Sequence, residues 1–121
     1  MFKISIVALT ILSASFPLLA QDRAEAVPDM RVLLANECVR MQFHDVAVGD
    51  KTAMHSHPKY VVYVFNDYKA RITLADGSQL ISAHKAADAF WHEASQHMVE
   101  NVGPTAIHNL VVELKPGSGC G

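Results

Sequence analysis

From Arg31 onward the chain is cut by turn residues, roughly every 8 to 12 positions, into short runs rich in Val, Ile, Leu and aromatics. Val32-Leu33-Leu34-Ala35 stops at Asn36-Glu37. Cys38 to Val48 alternates, with Val39, Met41 and Phe43 on one face and Arg40, Gln42 and His44 on the other, and it ends at Gly49-Asp50. Tyr60 to Phe65 is a nearly continuous apolar run, as in a strand covered on both sides. Asp76-Gly77 is the strongest hairpin signal in the chain. Gln79 to Ser82, Ala89 to His92, Met98 to Val102 and Ala106 to Leu114 complete the series. No stretch longer than about two turns keeps helical periodicity with caps, and His84 to Asp88 reads as a loop. About eight or more strands in so short a chain predict an all-β sandwich or small barrel.

Composition narrows the function classes. With 121 residues there is room for a single core. A net charge of −2 offers no basic field for nucleic acid or an anionic membrane surface. No Gly-rich phosphate loop, G-x-S-x-G elbow or HExxH helix occurs. The N-terminus reads as an address: Met1-Phe2-Lys3 precedes the apolar run Ile4 to Ala20, and polar Gln21-Asp22-Arg23 follows. Residues 1–20 fit a secretory signal peptide cut after Ala20, with Ala24-Glu25-Ala26 as a second site. Residues 21–30 form a flexible lead-in, 31–116 the β-domain and 117–121 a flexible Gly-rich tail. The expected location is periplasmic or secreted, with no membrane contact after cleavage. There the two cysteines, Cys38 and Cys120, have three fates open: an internal bond, an intermolecular bridge or a labile tail thiol.

Seven histidines carry the functional signal. His55-Ser56-His57 lies on an extended segment, because Pro58 bars a following helix. Side chains at i and i+2 of a strand share a face, so His55 and His57 present two imidazoles side by side. A third ligand has to come from a neighbouring strand, and His97, directly before an apolar strand, is the candidate.

At this point the sequence resembles a small single-domain cupin, from about Val32 to Lys115. Gly49, five residues on His55, then Ser56 and His57 match the opening of the first cupin motif, G-x5-H-x-H-x3,4-E-x6-G. His97-Met98-Val99-Glu100-Asn101 matches the end of the second, G-x5-P-x-G-x2-H-x3-N. The run from Asn101 to Lys115 is similar to family members as well. The resemblance implies a double-stranded β-helix (jelly-roll barrel) and one divalent transition metal held by His55, His57 and His97. The departures matter too. The motif's glutamate would fall at Val61 or Val62, and His92 and Ala94 stand where Pro and Gly are expected. A three-histidine site of this kind occurs in some cupin dioxygenases. Iron, manganese, nickel, copper and zinc all suit imidazole and are not distinguished.

His92, near the expected barrel mouth, is a candidate fourth ligand or an acid/base group beside the metal, or else an exposed rim histidine. His44 is expected to point outward, His84 to lie in a loop, and His108 to be buried and hydrogen-bonded. Phe43, Tyr63, Phe65, Phe90 and Trp91 are expected mostly in the core. Two functions follow from the resemblance. One is a metal-dependent oxidoreductase of the dioxygenase type acting on a small organic substrate. The other is a non-catalytic cupin that binds a metal ion or small ligand. A homodimer through edge strands is the arrangement the family often takes.

Overall fold

The structure is a computed structural model and describes residues 30–117 and Cys120; the expected signal peptide lies outside the described residues. Among the described residues there are nine strands and no helix. They are β1 (Met30–Ala35), β2 (Val39–Val46), β3 (His55–His57), β4 (Tyr60–Val64), β5 (Tyr68–Leu74), β6 (Gln79–His84), β7 (Ala89–His92), β8 (Ser95–Asn101) and β9 (Ile107–Leu114). All pairings are antiparallel. One sheet has the order β1-β2-β9-β4-β7, and the other β3-β8-β5-β6. The non-consecutive neighbours make a double-stranded β-helix rather than a meander, so the all-β jelly-roll expectation holds.

The two sheets close on a core drawn from both. Val46, Val62, Val64, Ile107 and Val111 come from the larger sheet, and Ala70 and Val99 from the smaller. Turn chemistry follows the sequence closely. Gly77 takes φ of +85°, which only glycine adopts without strain, and joins β5 to β6; the Asp76 carboxylate accepts from the Ser78 backbone N–H at 2.9 Å. Gly103 is required for a different reason: a Cβ there would come within 3.1 Å of the Lys69 backbone nitrogen. Asn101 fixes the same turn. Its amide donates to the carbonyls of Val46 and Thr105, while its oxygen accepts from the Gly103 N–H. Cys38, just before β2, is disulfide-bonded to Cys120 in the tail after β9, so the internal bond is the fate realised.

Three expectations about faces are corrected. The Tyr60–Phe65 run is covered on one side only: Tyr60, Val62 and Val64 are buried, while Val61, Tyr63 and Phe65 are exposed. Tyr63, Phe65 and Trp91 lie on the outside rather than in the core. On β2 the apolar face is the outer one. Gln42 and His44 point inward with Val46, and His44 is buried instead of solvent-facing. The cause is the partner strand. Register pairs Arg40 with Glu113, Gln42 with Val111 and His44 with Asn109, so an inward polar row on β2 meets an inward polar row on β9.

Candidate metal centre

The site is built where β3 runs antiparallel to β8. Register places His55 directly opposite His97, and the strand period puts His57 on the same inner face. The segment entering β3 is held by Thr52, whose N–H donates to the Val99 carbonyl at 2.9 Å and whose hydroxyl accepts from the Val99 N–H at 3.0 Å. The rings converge edge to face, with centroids 4.7 Å apart for His55–His57, 4.8 Å for His55–His97 and 5.2 Å for His57–His97. One ligand nitrogen from each lies within 4.8 Å of the others. Metal–nitrogen bonds near 2.1 Å require ligand nitrogens within about 4 Å of one another, so the cluster is looser than a bound ion would draw it.

The other ring nitrogens are committed in a way that suits ligation. His57 Nδ1 donates to Glu113 Oε1 at 2.9 Å, and His55 Nδ1 donates to the Ala53 carbonyl at 2.8 Å. A donating Nδ1 leaves Nε2 with its lone pair, the tautomer a metal needs. His97 is buried among other imidazoles. Burial first, then the neighbouring His55, His57, His92 and His44, push its pKa down to about 3, so it is neutral at pH 7. Three neutral nitrogens on one inner face are a donor set that fits a divalent transition ion.

Glu113 is the functional residue that the sequence reading passed over. It is fully buried on β9 and accepts from three groups: His57 Nδ1, Gln42 Nε2 at 2.6 Å and Arg40 Nη2 at 2.6 Å. Burial alone would raise its pKa, but the bonds from His57 and Arg40 outweigh that and hold it below the ordinary carboxylate value. The signal was present in the alternation Ile107, Asn109, Val111, Glu113, which places a carboxylate on a core face.

His92 ends β7 at the rim. Its ring stacks on Tyr60 at 4.9 Å, Nδ1 donates to the Glu93 carbonyl, and its centroid is 6.1 Å from that of His97. It lies beside the cluster and outside the ligand group. His84 closes β6 instead of lying in a loop, stacked on Phe90. His108 is half-exposed, bonded to Asp45 and stacked on Phe65, and so is not the buried histidine expected. Glu100 faces away and pairs with Arg71 at 3.2 Å. Next to the cluster the barrel interior opens into a cavity of about 130 Å³, lined by His44, His57, His92, His97 and Asn109, by the hydroxyl-bearing Tyr60, Tyr68 and Ser82, and by apolar side chains.

Comparison with solved structures agrees with this fold. A cupin domain from Bordetella pertussis Tohama I superposes with a TM-score of 0.65 at 23% identity, covering 71% of this chain and 91% of its own. The fold is that of a cupin. A conserved protein with a double-stranded β-helix domain from Klebsiella pneumoniae gives 0.59 at 20% identity, over 89% and 95% of the two chains. A cupin family protein from Methanocaldococcus jannaschii gives 0.57 at 15%, over 71% and 78%. No protein-family model and no curated protein matches the sequence. At these identities the cupin likeness is one of fold, and the chemistry rests on the residues of this chain.

Proposed function

We propose that this cupin is an exported mononuclear metal protein in which His55, His57 and His97 hold one divalent transition ion. We further propose that it acts as an oxidoreductase of the dioxygenase type on a small organic substrate. The observation that carries the metal reading is the convergence of three imidazoles, two of them with Nδ1 already donating elsewhere. When bound, the ion supplies Lewis acidity and open coordination positions beyond its three protein ligands. The chain's own residues do the rest. Apolar side chains form much of the wall, the buried Tyr60 backs the His92 ring, and His92 is placed to move a proton at Nε2 because Nδ1 is occupied. Export rests on residues 1–20, a charged start followed by an apolar run.

A second reading, a binding protein that holds a metal or small ligand without turnover, is favoured by the cavity wall. The residues lining it include no Asp, Glu or Lys to carry protons. Metal analysis of protein from its producing cell, followed by oxygen uptake with small acids, thiols and diketones, separates the two readings. One metal per chain with substrate-dependent uptake supports the enzyme; metal without uptake across the panel supports the binding protein. His97→Ala should empty the site while the apolar barrel survives. Full metal occupancy in that variant overturns the assignment.

A further inference from the structure

His44 and Asn109 sit opposite one another across the β2–β9 pair, on the face that looks into the cavity. Both are buried, at 6% and 4% exposure. Each keeps one buried polar atom with no hydrogen-bond partner: Nε2 of His44 and Oδ1 of Asn109. An unpaired buried polar atom is destabilising, and apolar residues of similar shape would fill both positions without that cost. Two such atoms on one cavity wall call for a partner from outside the chain.

Its chemistry can be read from the wall. Oδ1 only accepts, so the partner must bring an O–H or N–H. Nε2 of a neutral imidazole either donates or accepts. One hydroxyl satisfies both, donating to Asn109 and accepting from His44. No Lys, Arg, Asp or Glu lines the cavity, so this end of the partner is uncharged. Beside it, where the His44 ring centroid lies 6.4 Å from that of His55, three neutral imidazoles would leave a bound divalent ion with its full charge, which attracts an anion. The cavity volume of about 130 Å³ admits a molecule of roughly benzene size. We propose that the ligand is a short hydroxy acid, with its carboxylate at the histidine cluster and its hydroxyl between His44 and Asn109. The assignment rests on the metal reading above.

The test is calorimetry on zinc-loaded protein with matched pairs of acids: propionate, butyrate and valerate, each against its terminally hydroxylated counterpart. At one chain length the hydroxy acid should bind about tenfold or more tightly. His44→Phe and Asn109→Leu should each bring that pair within about threefold, with zinc content and alkyl-acid affinity kept. Circular dichroism checks both folds, and either variant alone suffices. No discrimination at any length, or discrimination that persists in the folded variants, overturns the proposal and leaves the two atoms to water. Zinc retained without discrimination removes the ligand assignment alone. Failure of the unaltered protein to retain zinc removes the metal reading, and the ligand assignment with it.

Discussion

Glu113 stands directly behind His57, its Oε1 accepting from Nδ1 at 2.9 Å while Oε2 takes the Arg40 guanidinium at 2.6 Å. The carboxylate that the cupin motif would place among the metal ligands, at Val61 or Val62, is here one bond further out, on the last strand. It orients an imidazole and stands outside the convergent histidine group. This keeps the donor set neutral, while the carboxylate's own charge is matched by Arg40.

Glu113→Gln should therefore weaken metal binding without emptying the barrel. The amide can donate to Nδ1 as well as accept from it, so His57 loses its enforced tautomer. Removing a partner behind a metal-binding histidine typically costs about 10- to 100-fold in affinity. Zinc titration by calorimetry reads the loss, and nitrogen chemical shifts of His57 in metal-free protein read the tautomer. Unchanged affinity together with an unchanged tautomer would show that the contact is structural only. The same change removes the carboxylate charge that Arg40 faces, so thermal stability should fall as well, by about 1.5–3 kcal/mol.

His92→Ala should separate the rim from the ligands. His92 lies outside the convergent group, so zinc content should stay within error of the unaltered protein. Its stack on Tyr60 and its hydrogen bond to the Glu93 carbonyl are lost, together worth about 1–2 kcal/mol. A substrate found by oxygen uptake should turn over more slowly in this variant, with metal occupancy unchanged. A fall in metal content would instead make His92 a fourth ligand.

The fold was legible because strand punctuation and hairpin chemistry are local. Asp76-Gly77, Gly103-Pro104 and the HSH spacing each act within a few residues, and the structure uses each as the sequence implies. What escaped was the direction of faces. On β2 the alternation of Val39, Met41 and Phe43 against Arg40, Gln42 and His44 is plain, but period alone does not say which set points inward. The apolar set would be the ordinary choice. The inward polar set is held by Glu113 and lies opposite Asn109, some 70 residues away, and that pairing is a long-range fact of register. Tyr63, Phe65 and Trp91 were misplaced for the same reason: β4 and β7 carry large apolar side chains on both faces, and only the sheet order shows which side is covered.

The Cys38–Cys120 bond ties the tail after β9 to the start of β2, closing a loop of 82 residues. A cross-link over that separation restricts the unfolded chain and stabilises by about 2–4 kcal/mol. Reduction, or Cys120→Ser, should lower the melting temperature by several degrees or more while leaving zinc affinity intact, because the bond touches none of the three histidines. A melting temperature unchanged by reduction would show that the bond is not formed in solution.

Acid should destabilise the metal-free protein in a defined window, and His44 should account for much of it. Burial, followed by the neighbouring His55 and His57, lowers its pKa from 6.5 to about 4, with the adjacent Asp45 opposing weakly. Above pH 6.5 the group is neutral in both folded and unfolded chains and contributes nothing to the slope. Between 6.5 and about 4 the unfolded chain takes a proton that the folded one refuses, so stability falls with pH across this interval. Below about 4 both forms are charged and the loss levels off. The shift sets a ceiling of about 3 kcal/mol. His97 acts in the same direction, and Glu113, whose pKa is held below the ordinary carboxylate value, adds to the fall at the acid end of the window, where the unfolded carboxyl begins to take a proton. Urea unfolding at pH 7, 5.5 and 4.5 measures the slope. His44→Phe, which cannot take a proton, should flatten it by about one proton's worth while His97 keeps a residual slope. An identical pH dependence in the two proteins would mean that the His44 ring is reached by solvent and protonated in the folded state.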